Sequence, residues 1–118
     1  MTITIRAHSS AALTAYLAEK RWNVETGSIT VNGLPVPTDD RAKLLLLGAS
    51  TSMADEDTAP FVTSAGAVSL TGAQFKALYA AITAHVQACF AVQQSALAAI
   101  GNGSITTPAQ IDALAWPG

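Results

Sequence analysis

The sequence predicts an α+β fold, and three observations carry the prediction. Ile29-Thr30-Val31-Asn32-Gly33-Leu34-Pro35-Val36 alternates in strand fashion on both sides of an Asn-Gly pair. That is the strongest short hairpin signal in the chain, because Asn and Gly accept the positive φ angles of a two-residue turn. Thr71 and Gln74 have capping-box spacing and Leu70 and Phe75 the spacing of a hydrophobic staple, so a helix starts at Thr71. Phe75, Leu78, Tyr79, Ile82, Val86, Cys89, Phe90, Leu97 and Ile100 then recur as a broad helical stripe, ended by Gly101-Asn102-Gly103.

The other elements follow in order. Thr2 to Arg6 alternates Thr and Ile, which places Ile3 and Ile5 on one face of a short, half-buried strand. Ser9 or Ser10 caps a helix running to about Arg21, with Leu13, Tyr16, Leu17 and Trp22 turned inward. Period two then holds from Val24 to Val36, and Pro35 makes the second strand an edge or a short one. Asp39 and Asp40 cap a helix from Arg41 to about Met53. Its run Leu44-Leu45-Leu46-Leu47 covers more than one face, so that helix is central in the domain or shared with a partner. Phe61-Val62-Thr63 and Ala67-Val68-Ser69-Leu70 flank Ser64-Ala65-Gly66 as a second short hairpin. Thr107, Pro108 and Gln110 start a terminal helical turn through Ile111 and Leu114. The expected organisation is a single domain over residues 1–118, with a mixed strand and helix part at 1–70 and the long helix and terminal turn at 71–118.

Charge is the unusual quantity. Only 12% of the residues are Asp, Glu, Lys or Arg, about half the usual quarter, and none of these four occurs from Ala77 to Ile111. The formal charge of -2 gives no electrostatic footprint for nucleic acid or anionic lipid. One cysteine, Cys89, excludes an internal disulfide and a thiolate zinc cluster within one chain. The segment at Met1 has no basic start followed by an apolar core, so the chain reads as cytosolic at synthesis. Ala77 to Ile100 is long enough for a membrane span, but Thr83, His85, Gln87, Gln93, Gln94 and Ser95 oppose insertion, so no membrane is expected.

Candidate chemistry is sparse. His85 and Cys89 are four apart on one helical face, a metal-ligand spacing, but two ligands do not make a site and His8 lies in another element. A packed cysteine beside a partly buried histidine is the simpler reading. Asp39-Asp40 and Asp55-Glu56-Asp57 could hold a hard cation, yet neither has calcium-loop spacing, and cap or solvated-loop roles explain them. No nucleophile elbow, Walker loop or dinucleotide fingerprint occurs. The chain therefore reads as non-enzymatic, with no cofactor or metal. The alternative is a metal-dependent regulator or small enzyme centred on His85 and Cys89.

The charge-free helix offers a different kind of site. Ala80, Ala84, Gln87, Ala91 and Gln94 fall on the face opposite the apolar stripe, small or uncharged where solvated helices carry Glu and Lys. With Leu45 and Leu46 they form the expected partner-binding set. The same helices allow self-assembly, for instance a trimer packed along them.

The run from Arg21-Trp22 through Glu25-Thr26-Gly27, Val31-Asn32-Gly33 and Thr38-Asp39-Asp40-Arg41, followed by Gly48-Ala49 and later by His85-Val86-Gln87-Ala88-Cys89-Phe90, resembles an uncharacterised domain family. That family is common in tail and tail-fibre proteins of tailed bacteriophages and prophages. The resemblance spans about Ala11 to Ile100 and implies a tail role with no catalytic residues to carry over. It implies a tail fibre, tail or baseplate protein as partner, and the virion tail, or the host bacterial cytoplasm during assembly, as location. The expected function is a tail accessory protein that binds the fibre or distal tail as a virion component or fibre-assembly chaperone.

Overall fold

The computed structural model describes residues 8–118. The strand expected over Thr2–Arg6 lies outside the described residues. Ser9 caps helix α1 (Ser10–Glu25), its side chain accepting from the Ala12 N–H at 3.1 Å. The helix continues past the expected end at Arg21, and Val24 is helical, not the start of a strand. Tertiary contacts override the strand preference of Val24: Nε2 of His85 bonds the Val24 carbonyl at 2.9 Å, and the Glu25 carboxylate is held by Arg21 and Lys43.

Strands β1 (Ser28–Val31) and β2 (Leu34–Pro37) form the expected hairpin, with Asn32 at φ 51° and Gly33 at φ 79° in its turn. Asp39 then caps helix α2 (Asp40–Ser52), accepting from the Ala42 N–H at 2.7 Å. Strands β3 (Thr58–Thr63) and β4 (Gly66–Thr71) form the second hairpin. Helix α3 (Gly72–Gly101) begins with the full capping box of Thr71 and Gln74, and helix α4 (Pro108–Asp112) repeats it with Thr107 and Gln110. The result is a mixed α+β fold of four helices and two small antiparallel hairpins among the described residues.

Proline placement keeps the hairpins apart. The Thr38 N–H donates to the Gly27 carbonyl and the Gly72 N–H to the Asp57 carbonyl, which sets the parity of each ladder. Counting from those bonds, Pro35, Pro37 and Pro60 all fall at positions whose backbone groups point away from their own partner strand. Their missing N–H groups therefore cost no ladder bond, while the outer edges of β2 and β3 lose donors. β2 and β3 are in contact, yet they do not join into one four-stranded sheet.

Two apolar cores share α3 as their spine. Near its C-terminal end, Ala96 and Ile100 pack with Leu13 and Leu17 of α1 and with Ile105 and Ile111. Near its N-terminal end, Phe75, Leu78 and Ile82 pack with Val36, Leu46 and Leu70. Phe61 meets Phe75 edge to face, with ring centres 5.9 Å apart. Leu70 and Phe75 share this core, as the staple spacing requires. Tyr16, Trp22, Phe90 and Leu97, expected inside, lie on the surface. An apolar stripe as broad as the one read from the sequence exceeds what one packed helix face can bury, and its flanks are left outside.

Candidate docking surface

Opposite its packed side, α3 presents one continuous line. Ala80, Ala84, Gln87, Ala91 and Gln94 are all exposed, and Ala73, Ala77, Ala98 and Gly101 extend the line at the same alternating spacing. From Ala73 to Gly101 this covers about 42 Å of helix at ~1.5 Å per residue. Every one of these residues is Ala, Gly or Gln. Small side chains leave the backbone open to close approach, and the line holds no charge that would have to be desolvated there.

The leucine run on α2 divides. Leu44 and Leu45 are 70% and 62% exposed and Leu47 is also on the surface, whereas Leu46 is 1% exposed. Leu46 therefore leaves the docking set: it points between α2 and α3 into the core with Val36 and Phe75. Consecutive helical residues are turned about 100° from each other, so four in a row cannot share an environment.

His85 and Cys89 belong to the interior. His85 is buried with Nε2 on the Val24 carbonyl, and the fully buried Cys89 has its sulfur 3.8 Å from the same nitrogen. Burial, and secondarily the charge of Glu25, pushes the Cys89 thiol above its ordinary value, which keeps it protonated. Beside them Glu25, 5% exposed, receives Lys43 from α2 and Arg21 from its own helix, and the Arg21 guanidinium lies 4.4 Å from the centre of the Phe90 ring. Nothing in the sequence joined these residues, although Arg21 and Glu25 are one helical turn apart.

A family model described as a domain of unknown function (DUF4376) matches residues 8–115. The chain belongs to the DUF4376 family. No curated protein and no solved structure matches it.

The acidic loops of this DUF4376 domain are engaged in local structure. Asp39 is the α2 cap, Asp57 accepts from the Ala54 N–H at 3.0 Å, and Asp55 pairs with Lys76 at 2.5 Å. Among the described residues no three His, Cys, Asp or Glu side chains are grouped to hold a metal ion. By length and composition α3 could cross a membrane. It nevertheless contributes Phe75, Leu78, Ile82, Ala96 and Ile100 to the two cores of the domain. A groove of about 360 Å³ opens between the tip of the first hairpin and β4, lined by Val31, Leu34, Val68, Leu70 and Leu78.

Proposed function

We propose that this DUF4376 chain is a non-enzymatic bacteriophage tail accessory protein. It binds the tail fibre or the distal tail or baseplate, either as a retained virion component or as a fibre-assembly chaperone. The observation that carries the docking mode is the exposed face of α3 from Ala77 to Gly101, which holds no Asp, Glu, Lys or Arg. Solvated helix faces ordinarily carry charge; a neutral face of Ala and Gln is suited to lying along another helix. The sequence resemblance to tail and tail-fibre proteins supplies the setting. Leu44, Leu45 and Leu47 add an exposed apolar patch on α2. In this reading affinity arises from apolar burial and close packing, with few ion pairs.

Peptide mass mapping of purified virions, alongside mapping of the cell lysate during assembly, tests the setting. Peptides from this chain in mature particles identify a tail component, and peptides co-purifying with free fibre alone identify a chaperone. Their absence from both overturns the tail reading. The docking mode has its own test. Association with the fibre should change less than about threefold between low and moderate salt, because the face from Ala77 to Gly101 carries no charge to be screened and Lys76 before it is paired with Asp55. A collapse of binding over that range would place the contact on the charged surfaces instead.

A further inference from the structure

We propose that one flank of α3, from Tyr79 to Leu97, is a dimer interface, and that its occupant is the same flank of a second copy of this chain lying antiparallel to it. The shape of one copy leaves surface to cover. It is a rod of 70 × 24 × 21 Å with a radius of gyration of 18.6 Å, against about 13–14 Å for a compact domain of this length. Its accessible surface is 7100 Å², about 1,000 Å² more than a compact monomer of 12.1 kDa carries. A standard interface takes about 800 Å² from each partner.

Tyr79, Thr83, Val86, Phe90, Gln93 and Leu97 recur at alternating spacings of four and three, and none of them is buried. Phe90 and Leu97 are 49% and 41% exposed. Five of the six directly follow a buried residue of α3, namely Leu78, Ile82, His85, Cys89 and Ala96. The stripe is therefore turned about 100° around the helix from the packed side. Four helices at the corners of a square give each helix two neighbours at roughly that offset. α1 and α2, both packed along α3, supply one neighbour, and the stripe faces the place of the other. Arg21 and Lys43 beside it are paired with Glu25, so they reach its rim already neutralised.

The order of residues along the stripe selects a second copy. A two-fold interface needs a patch complementary to itself. Antiparallel pairing centred on Ala88 sets Tyr79 against the partner's Leu97, Val86 against the partner's Phe90 and Thr83 against the partner's Gln93. Apolar then meets apolar and polar meets polar along the whole stripe. The Thr83 hydroxyl already donates to the Tyr79 carbonyl at 3.0 Å, which leaves its oxygen to accept from the amide of the partner's Gln93. Parallel pairing would stack Phe90 on the partner's Phe90 next to Val86 on the partner's Val86, and such uneven layers pack poorly. The contact is isologous, so it closes at two copies.

Sedimentation of the full chain over a concentration series tests this, with far-UV circular dichroism to confirm the fold of each variant. Wild type should associate with rising concentration and stop at a dimer. Leu97→Glu should weaken dimerisation at least tenfold, and Ser95→Glu, exposed on the opposite side of α3, should leave it unaltered. Cross-linking reads the direction of pairing and keeps the proposal falsifiable should Leu97→Glu misfold. A short bismaleimide should join Thr83→Cys to Gln93→Cys in a mixture of the two proteins, while Cys89 is fully buried and does not react. Neither variant alone should cross-link, because equal positions lie about 15 Å apart along the antiparallel pair. A wild-type monomer at every concentration, a trimer or larger species, undiminished dimer in Leu97→Glu, loss in Ser95→Glu, cross-linking of either variant with itself, or a mixture that stays unlinked overturns it. None of these readouts involves a fibre, so they stand or fall apart from the tail function.

Discussion

The carboxylate of Glu25 at the end of α1 meets the ammonium of Lys43 on α2 at 2.5 Å, while Arg21 closes on it from one turn earlier. Glu25 sits at a helix C-terminus, where the dipole disfavours an anion, and it is almost fully buried. Only its two cations make that position tolerable. Removing the carboxylate in Glu25→Ala leaves the largely buried Arg21 without a carboxylate and Lys43 with Asp40 alone, at 3.8 Å, and should cost about 3 kcal/mol. Urea denaturation measures it. A loss under about 0.5 kcal/mol would mean the pair behaves as an exposed one.

Adjacent leucines should separate folding from docking. Leu46→Ala opens a hole in the core beside Val36 and Phe75 and should cost about 2–5 kcal/mol of stability. Leu45→Glu places a charge on an already solvated position, so its stability should stay within about 0.5 kcal/mol of wild type. On the proposed function, Leu45→Glu and Ala84→Glu lower fibre association at least tenfold in a pull-down at fixed protein concentration. Undiminished association in both variants would remove α2 and α3 as the contact.

Gly72 is required by space. An added Cβ would lie 2.0 Å from the Ala54 carbonyl oxygen and 2.8 Å from its carbon, both backbone atoms that cannot rotate away. Gly72→Ala should therefore destabilise by about 1–3 kcal/mol or more, despite the better helix propensity of Ala. Thermal unfolding of the variant checks this, and an unchanged midpoint would show that the α2–β3 link gives way easily.

The residues that were legible in the sequence are those whose reasons are local. Thr71 with Gln74, Asn32 with Gly33, and Thr107 with Pro108 fix their elements through bonds or φ angles spanning a few positions. What failed was set from a distance. Val24 resembles a strand start until His85, far along the chain, bonds its carbonyl. Gly72 looks like an unremarkable first helical residue until Ala54 is brought against it. For the docking set, helical spacing placed Ala80, Ala84, Gln87, Ala91 and Gln94 on one exposed line. Within Leu44 to Leu47, however, no sequence signal says which residue faces α3. The outward register of Pro35, Pro37 and Pro60 was half legible: proline implied edges, but parity needs the ladder bonds.

Two protonation equilibria should shape stability in alkali. The Tyr16 hydroxyl donates to Asp112 on α4 at 2.9 Å, and that bond, with burial and the charges of Asp112 and Glu19 behind it, raises the phenol above its ordinary 10.0. The Cys89 thiol is raised above 9.0, chiefly by burial. In both cases the folded state holds its proton to higher pH than the unfolded chain. Each contribution is thus complete below the ordinary value and is lost as pH rises through the raised one. Stability should be flat near neutrality and fall above about pH 9, first as the unfolded chain loses its thiol proton and then its phenol proton. Tyr16→Phe should flatten the upper part of that fall and Cys89→Ala the lower part, read from urea midpoints between about pH 8 and 11. A wild-type midpoint that rises over this interval would reverse the sign and place both groups in surroundings that favour the anion.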